Sequence, residues 1–157
     1  MKYYLGLCDN STEQDCHDLA PFMKEVDKQE VMASSGHDPL TSLIKSRECS
    51  DVCYSIFWEK NLIGMCGVAY INSYTGSPWM LGSDAFDNFK NKHKKHFYKA
   101  CKQWVMDMNS KYPLLCNYVD KRNDTSIQWL RHLGFSFTRL IENYGYEGRP
   151  FWEFIRL

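Results

Sequence analysis

The chain has 157 residues, a formal net charge of zero and 15% aromatic residues. That length and aromatic content fit one packed domain, residues 1–157, with a sizeable core, and argue against a disordered chain. Zero net charge gives no global field toward nucleic acid or an anionic membrane, so electrostatic recognition must come from local patches.

No apolar run approaches the length of a membrane span, and Met1–Gly6 is too short and aromatic to read as a signal peptide. The seven cysteines are odd in number, form no Cys-x-x-Cys, and mostly sit inside apolar runs. This pattern fits a reduced, cytoplasmic protein that uses cysteine as a small core residue. Cys49, Cys53 and His37 have no recognised metal-ligand spacing, and no metal site is expected.

In chain order, Tyr3–Cys8 reads as a short strand, and residues 9–12 supply turn and cap residues. A helical pattern follows through Leu19, Phe22, Met23 and Val26, with Pro21 as a break or a new first turn. Leu40–Ser46 reads as a second short helix. Val52–Trp58 and Leu62–Ile71, joined at Glu59-Lys60-Asn61, form the clearest hairpin. Trp79-Met80-Leu81 is a short strand stopped at Gly82-Ser83-Asp84. The spacing of Phe89, His93, Phe97, Ala100, Cys101, Trp104, Val105 and Met108 predicts one long helix over Asn88–Lys111, basic off that stripe.

Leu114–Val119 is an apolar strand that ends in the polar turn 120–124. Ile127, Leu130 and Leu133 then recur at helical spacing, and Gly134 stops that helix in a left-handed conformation. Asn123 or Asp124 is the expected cap. Phe135–Ile141 and Phe151–Leu157 are the last strands. The order predicts an α/β (α+β) fold, a mostly antiparallel mixed sheet of six to seven strands with helices on both faces. A parallel crossover connects Trp79–Leu81 to Leu114–Val119.

This order, ending in Asn123-x-x-Ser126 and Leu133-Gly134-Phe135, resembles the GNAT superfamily of acyl-CoA-dependent N-acyltransferases. Three further features together are similar to a phage-encoded GNAT-like branch that includes the internal virion protein A group. They are Trp79-Met80-Leu81-Gly82-Ser83-Asp84 before a basic helix, Tyr112–Asp120, and Arg122-Asn123.

The resemblance implies acetyl-CoA or another acyl-CoA as co-substrate and an amine, on a small molecule or a protein, as acceptor. Its pantetheine would lie between the strands of Met80–Leu81 and Tyr118, with Met80, Leu81, Asn123 and Ser126 as cofactor-binding residues. The family's phosphate loop contains glycine, whereas Asn88–Tyr98 has none, which leaves phosphate contacts to Lys92, Lys94 and Lys95. The position where the family often carries an acidic tyrosine is Leu130. Catalysis would therefore fall to Asp120 as base and to His132 or Tyr118 as acid. The same departures suit a second expectation, a catalytically silent GNAT-fold phage protein acting on phage or host proteins in virion assembly. Nucleic acid and membrane are not expected partners.

Overall fold

A computed structural model describes residues 3–157 of the chain. Met1 and Lys2, which open the segment read as unlike a signal peptide, lie outside the described residues. The sheet has seven strands: β1 (Cys8–Asn10), β2 (Ser50–Trp58), β3 (Asn61–Tyr70), β4 (Thr75–Gly82), β5 (Leu114–Asp120), β6 (Ser136–Tyr144) and β7 (Arg149–Arg156). Their spatial order is β1-β2-β3-β4-β5-β7-β6. Every neighbouring pair is antiparallel except β4 and β5, which are parallel. The parallel crossover expected from the sequence is therefore present, and it carries two helices.

Helices cover both faces. On one side lie α1 (Glu13–Leu19), α2 (Glu25–Ser35) and α3 (Pro39–Cys49), packing Cys16, Leu19, Met23 and Leu43 against Met65 and Leu81 of the sheet. On the other lie α4 (Asp84–Lys92), α5 (Lys94–Lys111) and α6 (Asp124–His132). There Phe86, Phe89, Phe97, Trp104, Met108 and Ile127 pack on Cys66, Val68, Leu115 and Val119.

Three elements depart from the sequence reading. The first helical pattern divides into α1, a 3₁₀ turn (Ala20–Phe22) and α2. Pro21 sits at the start of that turn, where its missing N–H costs nothing, and Lys24 then leaves the helical region (φ −67°, ψ 154°) before α2 begins. Phe22, placed on the apolar stripe by its spacing, is 70% exposed as a result. At the N-terminus, Tyr3 bridges Cys8 across a tight turn whose Tyr4, Leu5 and Gly6 all have positive φ, so the strand starts only at Cys8.

The long basic helix is the third departure. It begins earlier, at Asp84, and breaks at His93 (φ −124°, ψ 46°) into α4 and α5. His93 closes α4 through its N–H on Phe89 O and opens α5 through its carbonyl, which accepts from Phe97 N–H, so the apolar spacing carries across the break and hides it. The His93 ring packs 4.8 Å from Trp58 and 5.2 Å from Phe89.

Gly134 adopts φ +88° after α6, as its position predicts, and Phe135 enters the core. At Gly82, a Cβ would stand 2.3 Å from Cδ2 of Phe86, a fully buried ring. Gly82→Ala must push Phe86 and α4 off β4, and is expected to lower unfolding stability by about 1–3 kcal/mol. Urea denaturation checks this, and an unchanged midpoint would contradict the packing described.

Candidate functional site

β4 and β5 pair only at Thr75↔Leu114 and Gly76↔Leu115. From Ser77 onward the ladder between them is absent, and the two strands enclose a crevice. The sequence supplies one cause directly: Pro78 has no N–H to offer β5. It also fixes which main-chain groups face the gap. Pro78 pairs with Val68 of β3 in a position that exchanges no two-way bonds, so by alternation Met80 and Gly82 also turn their N–H and C=O away from β3. Trp79 and Leu81 spend theirs on β3. Gly82 confirms the parity: its N–H donates to Asp27 Oδ2 at 2.9 Å, and its carbonyl accepts from the Lys24 N–H at 2.9 Å.

Side chains satisfy several of the groups the crevice exposes. The Asn117 side chain accepts from the Tyr118 N–H at 2.8 Å and donates to the Pro78 carbonyl at 2.7 Å, spanning the gap. Two carboxylates of α2 reach its mouth: Asp27 on β4, as above, and Glu30 on β5, where Oε1 accepts from the Asp120 N–H at 2.8 Å. The Asn123 side-chain amide donates to the same Glu30 oxygen at 3.4 Å.

These groups are electrostatically costly, and the structure shows how each is held. Burial raises the Glu30 carboxyl to about 7, against the lowering effect of the Asp120 N–H and the Asn123 amide. Burial likewise raises Asp27, opposed by Lys24 and the Gly82 N–H. Lys24 donates to Asp87 Oδ1 at 2.7 Å; burial disfavours its charge, but Asp27 and Asp87 outweigh it and the amine is raised. Lys90 pairs with Asp87 at 3.1 Å, yet burial and the Lys24 charge leave its amine lowered.

The residues singled out in the sequence fall into three groups. Met80, Asp120 and Asn123 lie along the crevice, and Tyr118 borders it only through its main chain, its hydroxyl being turned to Glu153 of β7. Met80 turns its N–H inward, whereas Leu81 bonds to β3 and buries its side chain against α1–α3, so Leu81 offers the crevice no donor. Asn123 caps α6, accepting from the Ser126 N–H at 3.3 Å, which uses the Ser126 main chain rather than its hydroxyl.

Asp120 is buried but clamped. Arg122 meets it through Nη2 at 2.7 Å, through Nε, and through its main-chain N–H at 2.9 Å. Burial pushes its carboxyl up, but these bonds outweigh it and hold the group below the usual carboxylate range, which suits a turn anchor better than a base. The Tyr118 hydroxyl donates to Glu153 Oε2 at 3.1 Å, and its ring stacks 4.8 Å from Tyr144. Burial and that carboxylate raise the phenol.

His132 is not brought to the crevice mouth. It is exposed at the last residue of α6, about 13 Å along the helix from Asn123, beside Trp129 and Tyr98. Lys92, Lys94 and Lys95 are exposed around the break at His93, where α5 presents a fresh N-terminus. Among the described residues, no three His, Cys, Asp or Glu side chains converge so as to hold a metal ion, and all seven cysteines are free. No helix there is long and apolar enough to cross a membrane.

Asn117 has no role in the sequence reading. Glu25 and Glu30 of the first helical pattern can line an acceptor site but read more simply as solvated carboxylates; with Asp27, Glu30 forms an i, i+3 pair on the helix face that also carries Val31. That placement was the available signal. Asn117 lay inside an apolar strand and gave no sign of its role.

Residues 61–142, just over half the chain, match the family model described as bacteriophage T7, probable scaffold protein Gp13. The chain belongs to that family. Solved structures place the fold more widely. An acetyltransferase of the GNAT family from Bacillus anthracis superposes with a TM-score of 0.69 at 12% identity, over 96% of this chain and 93% of its own. Ribosomal-protein-alanine N-acetyltransferase from Brucella melitensis gives 0.69 at 12%, over 96% and 99%. A GNAT family acetyltransferase from Elizabethkingia anophelis with acetyl-CoA bound gives 0.61 at 12%, over 94% and 95%. At such identity the likeness carries the fold: this member of the Gp13 family has the GNAT fold. No curated protein sequence matches the chain.

The raised Glu30 carboxyl has a thermodynamic consequence. Below about pH 4.5 the group is protonated folded or unfolded; between 4.5 and about 7 only the folded state keeps the proton. Stability therefore falls as pH rises through that window and stays lower above it. Glu30→Gln keeps the acceptor oxygen, so it is expected to raise stability at pH 8 by about 1–3 kcal/mol and to leave pH 4 unchanged. Denaturant unfolding at the two pH values measures this.

Proposed function

We propose that the chain is an acyl-CoA-dependent N-acyltransferase acting on an amine acceptor. The observation that carries this reading is the opened β4–β5 crevice, with the Met80 N–H turned into it and the half-buried Glu30 carboxyl at its mouth. The residues fit the co-substrate: an open strand edge binds an extended amide chain, and Met80 supplies an oriented donor for a thioester oxygen. Lys92, Lys94 and Lys95, grouped at the start of α5, suit the phosphates as point charges near a helix N-terminus.

Acyl-CoA would supply an acyl group activated as a thioester. The amine nitrogen forms the new bond to the acyl carbon, the carbon–sulfur bond breaks, and the amine proton passes to Glu30. Glu30 titrates near neutrality, where a general base works best, and Asn123 and the Asp120 N–H orient it. Asp120 holds Arg122 and the turn. Leu130 gives no acid, but a thiol leaves readily as thiolate near neutral pH.

Glu30→Gln is expected to lower kcat/KM for acetyl transfer by about 10²–10³-fold and to remove a rising limb centred near pH 7. Asp120→Asn should have a smaller effect. Glu30→Gln with native activity and an intact pH limb would remove Glu30 from this role. A native chain that transfers no acyl group to any of a panel of amines would remove the reading itself.

One observation favours a second reading, a non-enzymatic part in phage particle assembly: the Gp13 family model's own description. Tyr70 at the end of β3 and Ile71 and Tyr74 on the turn that follows are exposed and would supply a contact surface. Replacing all three by serine should then abolish co-sedimentation with phage particles while leaving acetyl transfer untouched. Undiminished co-sedimentation would exclude that surface.

A further inference from the structure

The acyltransferase reading needs the crevice to admit a ligand chain, and one side chain stands in it. In the register set by Thr75↔Leu114 and Gly76↔Leu115, Asn117 lies directly opposite Pro78. It alternates along β5 with Leu115 and Val119, both buried in the core under α4–α6, so its side chain starts from that face of the sheet. Instead of packing there as an aliphatic residue would, it lies across the gap. Both polar atoms are used: Oδ1 takes the Tyr118 N–H at 2.8 Å, and Nδ2 gives to the Pro78 carbonyl at 2.7 Å.

These are the main-chain groups that the missing ladder leaves without partners. Pro78 cannot donate, so the bond to the Cys116 carbonyl is lost, and the strands part before the remaining parallel bond, Tyr118 N–H to Pro78 C=O, can close. The Asn117 amide replaces it with one donor and one acceptor, the complement of what the two strands offer. A carbonyl and an N–H away from water are costly when unpaired, so the bridge is the arrangement the chain's own groups favour. It also fills the path between the strands at the level where a ligand chain would run.

We infer that Asn117 is a latch: it closes the crevice in the free protein, and acyl-CoA binds only as its side chain swings out. This rests on the acyl-CoA reading and adds a positioning residue that sets affinity. Ligand binding must displace two hydrogen bonds, and apparent affinity is lowered by the small fraction of molecules that are open. Removing the latch should therefore tighten binding, unlike removal of a contact residue.

The test is calorimetry of CoA and acetyl-CoA with the native chain, Asn117→Ala and Asn117→Ser, each first shown to unfold cooperatively. The expected result is affinity about tenfold or more tighter in both variants, with somewhat lower thermal stability. Equal or weaker binding in folded variants would overturn the latch while leaving the acyl-CoA reading in place. Silence from the native chain and both variants would overturn both.

A second readout needs no affinity change. The Asn117 side-chain amide pair, assigned in a nitrogen-15 correlation spectrum by its loss from Asn117→Ala, should move toward solvent-exposed shifts when CoA saturates the native chain. An unmoved pair at saturation would also overturn the latch.

Discussion

The structure turns on a broken ladder. Parallel strands bond evenly along their length, and β4 and β5 begin that way at Thr75 and Gly76 before the pairing stops. Pro78 removes the donor at the next level that faces β5, and the pairing does not resume at Met80. A gap in the middle of a sheet leaves main-chain groups that neither water nor a neighbouring strand serves, and such groups must be paired or the fold loses stability. Each unusual feature of the site answers that demand. Asn117 bridges at Pro78, Asp27 reaches Gly82, and Glu30 reaches Asp120.

The answers bring charge into the interior. α2 delivers two carboxylates to adjacent strand ends, and α4 returns two lysine contacts through Asp87, so that the region is a network of alternating sign. Isolated buried charges would be expelled or neutralised, but networks with hydrogen bonds to the main chain persist. Glu30 is the member with least compensation. Its hydrogen-bond partners are an N–H and an amide, and burial prevails. The same imbalance that makes it a stability cost at neutral pH makes it a competent proton acceptor. Asp120, two residues beyond Tyr118 on the same strand, illustrates the opposite outcome, since the Arg122 guanidinium holds it ionised.

Much of this was legible in the sequence because local rules dominate there. The Asn123 cap, the Gly134 stop, the β2–β3 hairpin and the parallel crossover each follow from a few adjacent residues and their spacing. Where the sequence misled, the cause was tertiary. The stripe through Phe89, His93 and Phe97 keeps helical spacing across the break, because His93 ends one helix and starts the next. Phe22 has apolar character, but Pro21 turns the chain and leaves it in solvent. Its place at a strand end points to Asp120 as a base, whereas in the folded chain Arg122 wraps it. Glu30 becomes distinctive only when α2 is laid over the ends of β4 and β5.

Membership of the Gp13 family and the GNAT fold are compatible with either an enzyme or an assembly protein, so the deciding question is physical: does the crevice open for its ligand. The most direct measurement is a crystal structure of the chain soaked with acetyl-CoA. The account predicts pantetheine between β4 and β5, the Asn117 side chain turned away from Pro78, the thioester oxygen at the Met80 N–H and phosphates beside Lys94 and Lys95. Crystals that hold no ligand at millimolar acetyl-CoA, with Asn117 still bridging to Pro78, would contradict it.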